Sequence, residues 1–162
     1  MRTTIANRLL NPLMITLLRS PLHPLTSRTN ALVTCRGRRT GRTYAVPLRY
    51  AEDETGLWLH AAKPHTKTWW RSLEGGAPVT VRLRGREIHA HAEAIRDDAS
   101  RVAEGLWAYY RRFPTLARSM GLSWEPSSVD RAAAGSVMVR IELAQLQPAQ
   151  LQPASFQPAR PT

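Results

Sequence analysis

The chain has 162 residues, of which 43% are hydrophobic, so it is long enough for one domain with a buried core. Lys and Arg number 23 against 12 Asp and Glu, which gives a formal net charge of +11. A charge of this size favours a polyanionic partner, such as a nucleotide-like cofactor, nucleic acid or an acidic membrane surface. The single cysteine, Cys35, excludes an internal disulfide and favours a reducing compartment.

The N-terminal stretch predicts an amphipathic helix from Thr4 to about Leu18, because apolar residues recur there at helical spacing with arginines at the margins. The apolar stripe either covers the core of the domain or contacts a partner or an anionic membrane. Asn11 and Pro12 interrupt it, it is too short to span a membrane, and no signal-peptide cleavage site follows. We therefore expect a cytoplasmic protein, with peripheral membrane contact through this helix left open.

Two short runs rich in β-branched and aromatic residues predict a hairpin between Leu32 and Tyr50. Its connection holds four arginines and two glycines, namely Arg36, Gly37, Arg38, Arg39, Gly41 and Arg42. The glycines allow a tight turn that exposes backbone N–H groups to an anion, and the arginines surround it with forked donors. The pattern indicates an anion-binding cradle, although a solvated basic loop would have the same sequence. A Walker-type phosphate loop is excluded, because the following segment predicts a strand and not a helix.

A second basic loop follows the third predicted strand, which runs from Leu57 to Ala62. The loop contains Lys63 and Lys67 and ends in Trp69 and Trp70. An indole beside a cation can stack on a heteroaromatic ring while the cation contacts a charged substituent of that ring. We expect one indole to be buried in the core and the other to border a site.

Two more strands flank a tight turn, because the apolar alternation over residues 79–83 and 88–94 changes phase at Arg84–Arg86. The second strand places two histidines and two carboxylates on one face, namely Glu87, His89, His91 and Glu93. These side chains could ligate a metal, but no further ligand cluster accompanies them, so we predict no metal site.

Helical segments and a last strand complete the predicted domain. Asp97 or Asp98 caps a helix that runs to about Phe113, and Pro114 begins a shorter helix. Residues 122–135 are predicted to be a surface connection before a final strand over 137–143. The end of the chain repeats a five-residue unit that contains proline, which predicts a disordered or extended tail.

These elements predict a chain that is mainly β with helices, an α+β fold. Consecutive hairpins in so short a chain favour a small barrel. The predicted organisation has three parts: the amphipathic helix and turn over residues 1–30, the barrel that binds a cofactor over 31–144, and the Gln/Pro/Ala repeat tail over 145–162.

Several segments together resemble the deazaflavin-dependent nitroreductase family, also described as F420H2-dependent quinone reductases. They are Arg19–His23, Gly37–Arg42, Val46–Leu48, Lys67–Leu73 and Gly75–Val79. The resemblance extends from about Ala6 to Leu143. It implies a split β-barrel, related to FMN-binding proteins and preceded by an N-terminal helix, that binds coenzyme F420, an 8-hydroxy-5-deazaflavin.

The resemblance also implies roles for individual residues. Coenzyme F420 carries a phosphodiester and a glutamate tail, which Arg38, Arg39, Thr40 and Arg42 would contact. Val46 and Pro47 would line its ring, and Lys67 with Trp69 would flank the ring. The set of implied cofactor-binding residues is completed by Gly41, Lys63 and Ser72.

Two positions depart from the family pattern, since Ser72 stands where Asn is usual and Tyr44 where a basic residue is common. Hydroxyl groups near the ring are also expected in the family, and Tyr109 and Tyr110 are the candidates for this catalytic role here. The implied reaction transfers a hydride from the reduced coenzyme to a small-molecule acceptor, a quinone, enone or nitroaromatic compound. FMN is the alternative cofactor. A non-catalytic module that binds nucleic acid or an anionic membrane is the alternative function.

Overall fold

The computed structural model describes residues 3–123 and 125–143, and side chains from residue 11 onward within them. This part contains seven strands: β1 (Asn30–Arg36), β2 (Thr43–Arg49), β3 (Ala51–Glu52), β4 (Gly56–His60), β5 (Ala77–Leu83), β6 (Arg86–Ile95) and β7 (Met138–Leu143). Its four α-helices are α1 (Thr3–Arg19), α2 (Ala99–Arg112), α3 (Pro114–Ser119) and α4 (Pro126–Ala133). Two short 3-10 helices span His23–Leu25 and Trp69–Leu73. The tail predicted over 145–162 lies outside the described residues.

The strands form one antiparallel sheet in the order β2-β1-β5-β6-β7-β4-β3. A sheet of this many twisted strands curls around its apolar face and does not stay flat. The result is a half-barrel whose two edges are β2 and β3. This architecture, with the N-terminal helix, confirms the prediction of an α+β split barrel.

Two apolar clusters lie on the two faces of the curled sheet, and the alternation of β4 divides its residues between them. Leu57 and Leu59 belong to the cluster inside the curl, whereas Trp58 belongs to the cluster under α2 and α4. Gly105 of α2 lies against Trp58, since a Cβ there would come within 2.7 Å of the indole. The helix therefore packs closely onto the outer face of the sheet.

The helical region matches its prediction at α2 and differs from it at α4. Asp98 caps α2, because its side chain accepts a hydrogen bond from the backbone N–H of Arg101 at 3.0 Å. The predicted surface connection over 122–135 is wrong for its central part, where α4 buries Val129 and Ala133 against α2. Two buried apolar residues four apart are the signal of this short helix, and they are too few to stand out in sequence.

Asp53 lies in the turn between β3 and β4, and its hydrogen bonds connect this turn to β7. Its carboxylate accepts two hydrogen bonds from Arg140, at 2.7 and 2.8 Å, and one from Trp58 Nε1 at 2.9 Å. It also accepts from the backbone N–H groups of Thr55 and Gly56 at 2.9 and 3.0 Å. These charged contacts hold the pKa of Asp53 well below its usual range against the opposing effect of burial.

Candidate functional site

A hollow of about 730 Å³ lies between the β1–β2 turn and the 3-10 helix at Trp69–Leu73. The turn contributes Gly37–Thr40 and Tyr44, and the facing segment contributes Thr68, Trp69, Arg71, Ser72 and Glu74. We call this space the arginine hollow. Its walls therefore come from the two segments that sequence analysis selected as basic loops.

Positive charge predominates in the arginine hollow, which is lined by Arg38, Arg39 and Arg71 against the single carboxylate of Glu74. Arg38 is partly engaged, since its Nη1 donates to the backbone carbonyl of Glu74 at 3.4 Å and lies 3.8 Å from the Glu74 carboxylate. Its side chain is still 61% exposed. The hollow thus offers forked donors to an anion such as a phosphate.

The backbone of the β1–β2 turn does not form the cradle that the two glycines predicted. Gly37 N–H donates to the carbonyl of Arg42 at 2.9 Å, and Gly41 N–H donates to the carbonyl of Gly37 at 2.8 Å. Gly41 adopts a φ of 64°, which closes the turn. Both glycine N–H groups are bonded inside the turn, so they are not free to bind an anion, whereas the side chains of Arg38 and Arg39 are exposed and line the hollow.

Tyr44 and Ser72, the two departures from the family pattern, contact each other across the arginine hollow. Tyr44 OH lies 2.7 Å from Ser72 Oγ and 3.1 Å from the backbone carbonyl of Trp69. These two hydrogen bonds connect strand β2 to the segment that contains Trp69. Because each residue supplies the other's partner, neither substitution leaves a polar group unpaired.

We predict that Tyr44→Phe loosens the Trp69 segment. The change removes both hydrogen bonds of the hydroxyl and lowers the free energy of unfolding by about 1 kcal/mol. Hydrogen exchange of the backbone amides over residues 69–73 should quicken. Tyr50→Phe is the matched control, because it removes a buried hydrogen bond to the Ser27 carbonyl at 2.9 Å on another part of the barrel. Equal exchange in both variants would contradict the assignment.

A second hollow, of about 300 Å³, adjoins the first at Thr68 and Trp69, which line both. Its other walls are Val46, Pro47 and Leu48 of β2, together with Asn11 of α1 and Lys67. We call it the proline hollow. Val46, Pro47, Leu48 and Trp69 give it an apolar wall, and Asn11, Lys67 and Thr68 give it a polar rim with a single cation, a combination that suits a flat ring with polar edges better than it suits a phosphate.

The structure brings most of the predicted cofactor-binding residues into these two hollows. Arg38, Arg39, Thr40, Trp69 and Ser72 line the first, and Val46, Pro47, Lys67 and Trp69 line the second. Gly41, Arg42 and Lys63 line neither. Sequence analysis missed Arg71 and Glu74, although both stand beside the tryptophan motif, and it missed Asn11, for which the sequence holds no signal.

The two tryptophans divide as predicted between core and site. Trp70 is 3% exposed and belongs to the inner cluster, and its Nε1 donates to the Pro64 carbonyl at 3.3 Å. Trp69 is half-buried and lines both hollows. Because Trp70 is buried and hydrogen-bonded, it anchors the segment that contains Trp69.

Tyr109 and Tyr110 lie in the outer cluster under α2, and neither lines the two hollows. Tyr110 OH lies 3.0 Å from His60 Nδ1 and 2.8 Å from Met120 Sδ. Burial raises the pKa of Tyr109 to about 12, against the opposing charge of Arg49. Burial, with a smaller effect of Lys67, lowers the pKa of His60 to about 4, so its ring is neutral at pH 7.

The described part of the chain contains neither a cluster of metal ligands nor a helix that could span a membrane. Within residues 3–123 and 125–143, no three His, Cys, Asp or Glu side chains come together as metal ligands. The face of β6 that carries two histidines instead places His89 Nδ1 3.4 Å from Thr80 Oγ1, and Glu93 accepts a hydrogen bond from Arg101 at 2.8 Å. None of the described helices combines the length and the apolar character needed to cross a bilayer.

The family follows from comparison of the sequence with known protein families. A model described as F420H(2)-dependent quinone reductase matches residues 22–115, which is more than half of the chain. The chain belongs to the F420H(2)-dependent quinone reductase family. The segment matched by this quinone reductase model contains the β1–β2 turn, β2 and the Trp69 segment, and therefore nearly all of both hollows. Membership in the family supports an oxidoreductase role.

A solved structure that aligns with a TM-score above 0.5 shares the overall fold of this quinone reductase family member. A candidate 5-nitroimidazole antibiotic resistance protein from Bacteroides thetaiotaomicron aligns with a TM-score of 0.51 at 15% identity, over 76% of this chain and 78% of that one. An FAD-binding protein from Mesorhizobium loti aligns with a TM-score of 0.42 at 17% identity, over 82% and 88% of the two chains. An FAD and heme binding protein from Mycobacterium smegmatis gives 0.43 at 19% identity, over 78% and 72%. The search of curated proteins found no match.

Proposed function

We propose that this member of the F420H(2)-dependent quinone reductase family binds coenzyme F420 and reduces a small electron-poor acceptor. The observation that carries the proposal is the junction of the two hollows at Trp69. One hollow is cationic and the other combines an apolar wall with a polar rim, which are the environments that the phosphodiester and the ring of a single deazaflavin molecule require. The residues present therefore fit the group that the family name implies.

Each hollow has its own binding task in this proposal. Arg38 and Arg39 hold the phosphate, with Thr40 at the rim of the same hollow. Val46 and Pro47 pack against the ring system, and Trp69 supports it where the two hollows meet. The hydrogen bond from Tyr44 to the Trp69 carbonyl fixes the position of this junction.

The reduced coenzyme, when bound, supplies a hydride to the acceptor. The chain's part is to orient the two molecules and to stabilise charge. Lys67 is exposed at the border of the proline hollow, where its ammonium group lowers the energy of negative charge that develops on an acceptor oxygen. A quinone, enone or nitroaromatic compound develops such charge, so this position favours these acceptor classes.

The proton that completes the reduction comes from solvent or from a side chain, and the catalytic role predicted for Tyr109 and Tyr110 stays a prediction. Tyr110→Phe separates these sources. The structure leads us to expect a free energy of unfolding lower by about 1 kcal/mol, because two hydrogen bonds are lost, with turnover changed by less than about twofold. A fall in turnover of about 100-fold at full coenzyme saturation would instead make Tyr110 the proton donor.

The proposed cofactor is tested by titrating the purified chain into oxidised F420 and following its fluorescence. We expect quenching that saturates in the micromolar range and weakens as salt is raised, because the arginine contacts are exposed. FMN is titrated in parallel, since a flavin also combines a phosphate with a flat ring. Saturable binding of FMN alone would replace the proposed cofactor, and binding of neither would refute the proposal.

A second candidate function, binding to an anionic membrane, rests on the charge and exposure of the N-terminal third. Residues 1–51 contain nine Arg and no Asp or Glu. Three leucines of this region are prominently exposed, namely Leu13 at 64%, Leu22 at 60% and Leu25 at 75%. Exposed leucines beside uncompensated arginines are typical of peripheral contact with acidic lipids.

Sedimentation with vesicles tests this candidate. We expect the full chain to bind vesicles that contain phosphatidylglycerol, to release them at high salt, and to ignore pure phosphatidylcholine. Leu22→Gln combined with Leu25→Gln should weaken the binding at unchanged charge. Binding that is equal for this variant, or that short DNA displaces completely, would indicate a charge-only surface of the kind that binds nucleic acid.

A further inference from the structure

A third hollow, of about 330 Å³, shares the lining residue Arg71 with the arginine hollow. It is bordered by His65 and Arg71 from the Trp69 loop, by Arg96 and Asp97 after β6, and by Ser136 before β7. Arg71 lines both this space and the arginine hollow, so the two are neighbours across one guanidinium group. We call the third space the distal hollow.

Arg71 is held in place at this boundary by the tryptophan below it. Its guanidinium carbon lies 5.6 Å from the ring centroid of Trp70, within the range of a cation–π contact. Trp70 is itself buried and anchored by its hydrogen bond to Pro64. A cation that stands on a rigid aromatic platform is ordered before any ligand arrives, which lowers the entropic cost of binding.

The charges around the distal hollow are mixed, since Arg71 and Arg96 line it together with one carboxylate, that of Asp97, and the Glu74 carboxylate lies near Arg96 without lining it. Arg96 Nε lies 3.2 Å from the Asp97 carboxylate, and Arg96 Nη1 lies 3.9 Å from that of Glu74. Glu74 therefore stands between Arg96 and Arg38, 3.8 Å from the latter. At these distances, both pairs with Glu74 are loose and exposed, so a better-placed anion can compete for the arginines.

We propose that the distal hollow binds the carboxylates of an oligoglutamate tail whose phosphate end is held in the arginine hollow. The inference rests on the proposed binding of coenzyme F420, which carries such a tail beyond its phosphodiester. Arg39 and Arg38 hold the phosphate, Arg71 spans the boundary, and Arg96 receives the distal carboxylates. Glu74, which lines the arginine hollow and lies near both Arg38 and Arg96, opposes the tail.

The strength of this subsite is expected to be modest and dependent on tail length. Exposed ion pairs are individually weak, so each carboxylate adds little and the sum grows with the number of glutamates. We expect a long-tailed form of the coenzyme to bind about three- to tenfold more tightly than a short-tailed form at low salt. The difference should shrink at high ionic strength.

The test compares fluorescence titrations of short-tailed and long-tailed F420 with the intact chain and with Arg96→Gln. The variant should bind the short form as the native chain does and lose most of the preference for the long form. Arg131→Gln is the matched control, because this exposed arginine of α4 borders none of the three hollows. It removes the same charge and should preserve the preference.

Glu74→Gln provides a second variant with an effect of opposite sign. Removing this carboxylate relieves its repulsion of the tail and releases both Arg38 and Arg96, so the preference for the long form should increase. A structural role of Glu74 alone would weaken binding of both forms equally and would contradict the assignment.

The outcomes separate this inference from the proposed function. Binding of both forms with equal affinity to the native chain would overturn the distal subsite and leave F420 binding intact. A preference that survives Arg96→Gln would also overturn it, since the tail would then be bound elsewhere. Absence of binding by either form would refute the proposed function, and the subsite with it.

Discussion

Replacing Asp53 by Asn is expected to lower the free energy of unfolding by about 2–3 kcal/mol. The change removes the negative partner of the ion pair with Arg140, whose side chain is only 10% exposed. Leaving a buried guanidinium without its counter-ion lowers the free energy of unfolding strongly, whereas the intact pair raises it by a smaller amount. The expected loss is below the upper range for buried pairs, because 37% of the Asp53 side chain is exposed and solvent screens part of the interaction.

The geometry explains why Asn is a poor substitute at this position. Arg140 approaches with two nitrogens, its guanidinium carbon lies 4.7 Å from the ring centroid of Trp58, and Trp58 donates to the same carboxylate. An amide would turn its NH2 group toward one of these donors. The substitution thus loses a charge and forces a contact between two donors.

The same ion pair makes stability depend on pH in the acidic range. Because the pKa of Asp53 is lower in the folded chain than in the unfolded chain, its contribution is complete above the ordinary value of about 3.9. It is lost as the pH falls below that value toward the depressed pKa of the folded state. The stability of the native chain should fall over this range, and that of Asp53→Asn should fall less.

Urea denaturation at pH 7 and at several values below 4 measures both effects. Glu54→Gln is the matched control, since Glu54 is an exposed carboxylate of the same turn. It should change the free energy of unfolding by less than about 0.5 kcal/mol. If both variants lost the same free energy of unfolding, the turn would be sensitive to any substitution, and the ion pair between Asp53 and Arg140 would not explain the loss.

The double substitution Arg38→Ser and Arg39→Ser is expected to weaken coenzyme F420 binding by about 30-fold. Charge-assisted hydrogen bonds to phosphate are stronger than neutral ones, but both arginines are exposed. Because solvent screens exposed charges, we expect each arginine to contribute about 1 kcal/mol to binding. Both glycine N–H groups of the turn are already bonded within it, so they cannot replace the lost donors.

Fluorescence titration at low and high salt measures this loss, and the salt dependence should become shallower in the double variant. Arg42→Ser is the informative comparison, because Arg42 belongs to the same turn but lines neither the arginine nor the proline hollow. We expect it to weaken binding by only about two- to threefold. A loss as large as that of the double variant would show that the charge of the whole turn matters and that the hollow does not select particular residues.

The sequence predicted the hairpins, the α2 cap and the two basic loops because each rests on neighbours in the chain. The split barrel and the roles of Val46 and Pro47 came from the family resemblance, and alternation alone favoured only a small barrel. One of the two adjacent tryptophans was correctly expected in the core, and the structure shows that it is Trp70. Local patterns carry such information because period and turn chemistry involve residues a few positions apart.

Contacts between residues that lie far apart in the chain could not be predicted from the sequence. Asp53 and Arg140 lie 87 positions apart, and nothing in the acidic turn identifies which cation will approach it. Tyr44 and Ser72, 28 positions apart, were noted as separate departures, and only the folded chain shows that each accounts for the other. The expected exposure of the Gly37 and Gly41 N–H groups failed for a related reason, since the turn satisfies its own backbone.

Pro47 has a consequence beyond the hollow that it lines. It sits in β2, an edge strand that pairs on one side with β1, opposite Leu32. A proline within an edge strand has no N–H to offer to an incoming strand, which discourages polymerisation of sheets through that edge. Pro47, which lines the proline hollow, thereby also disfavours the addition of a second copy of the chain to this edge of the sheet.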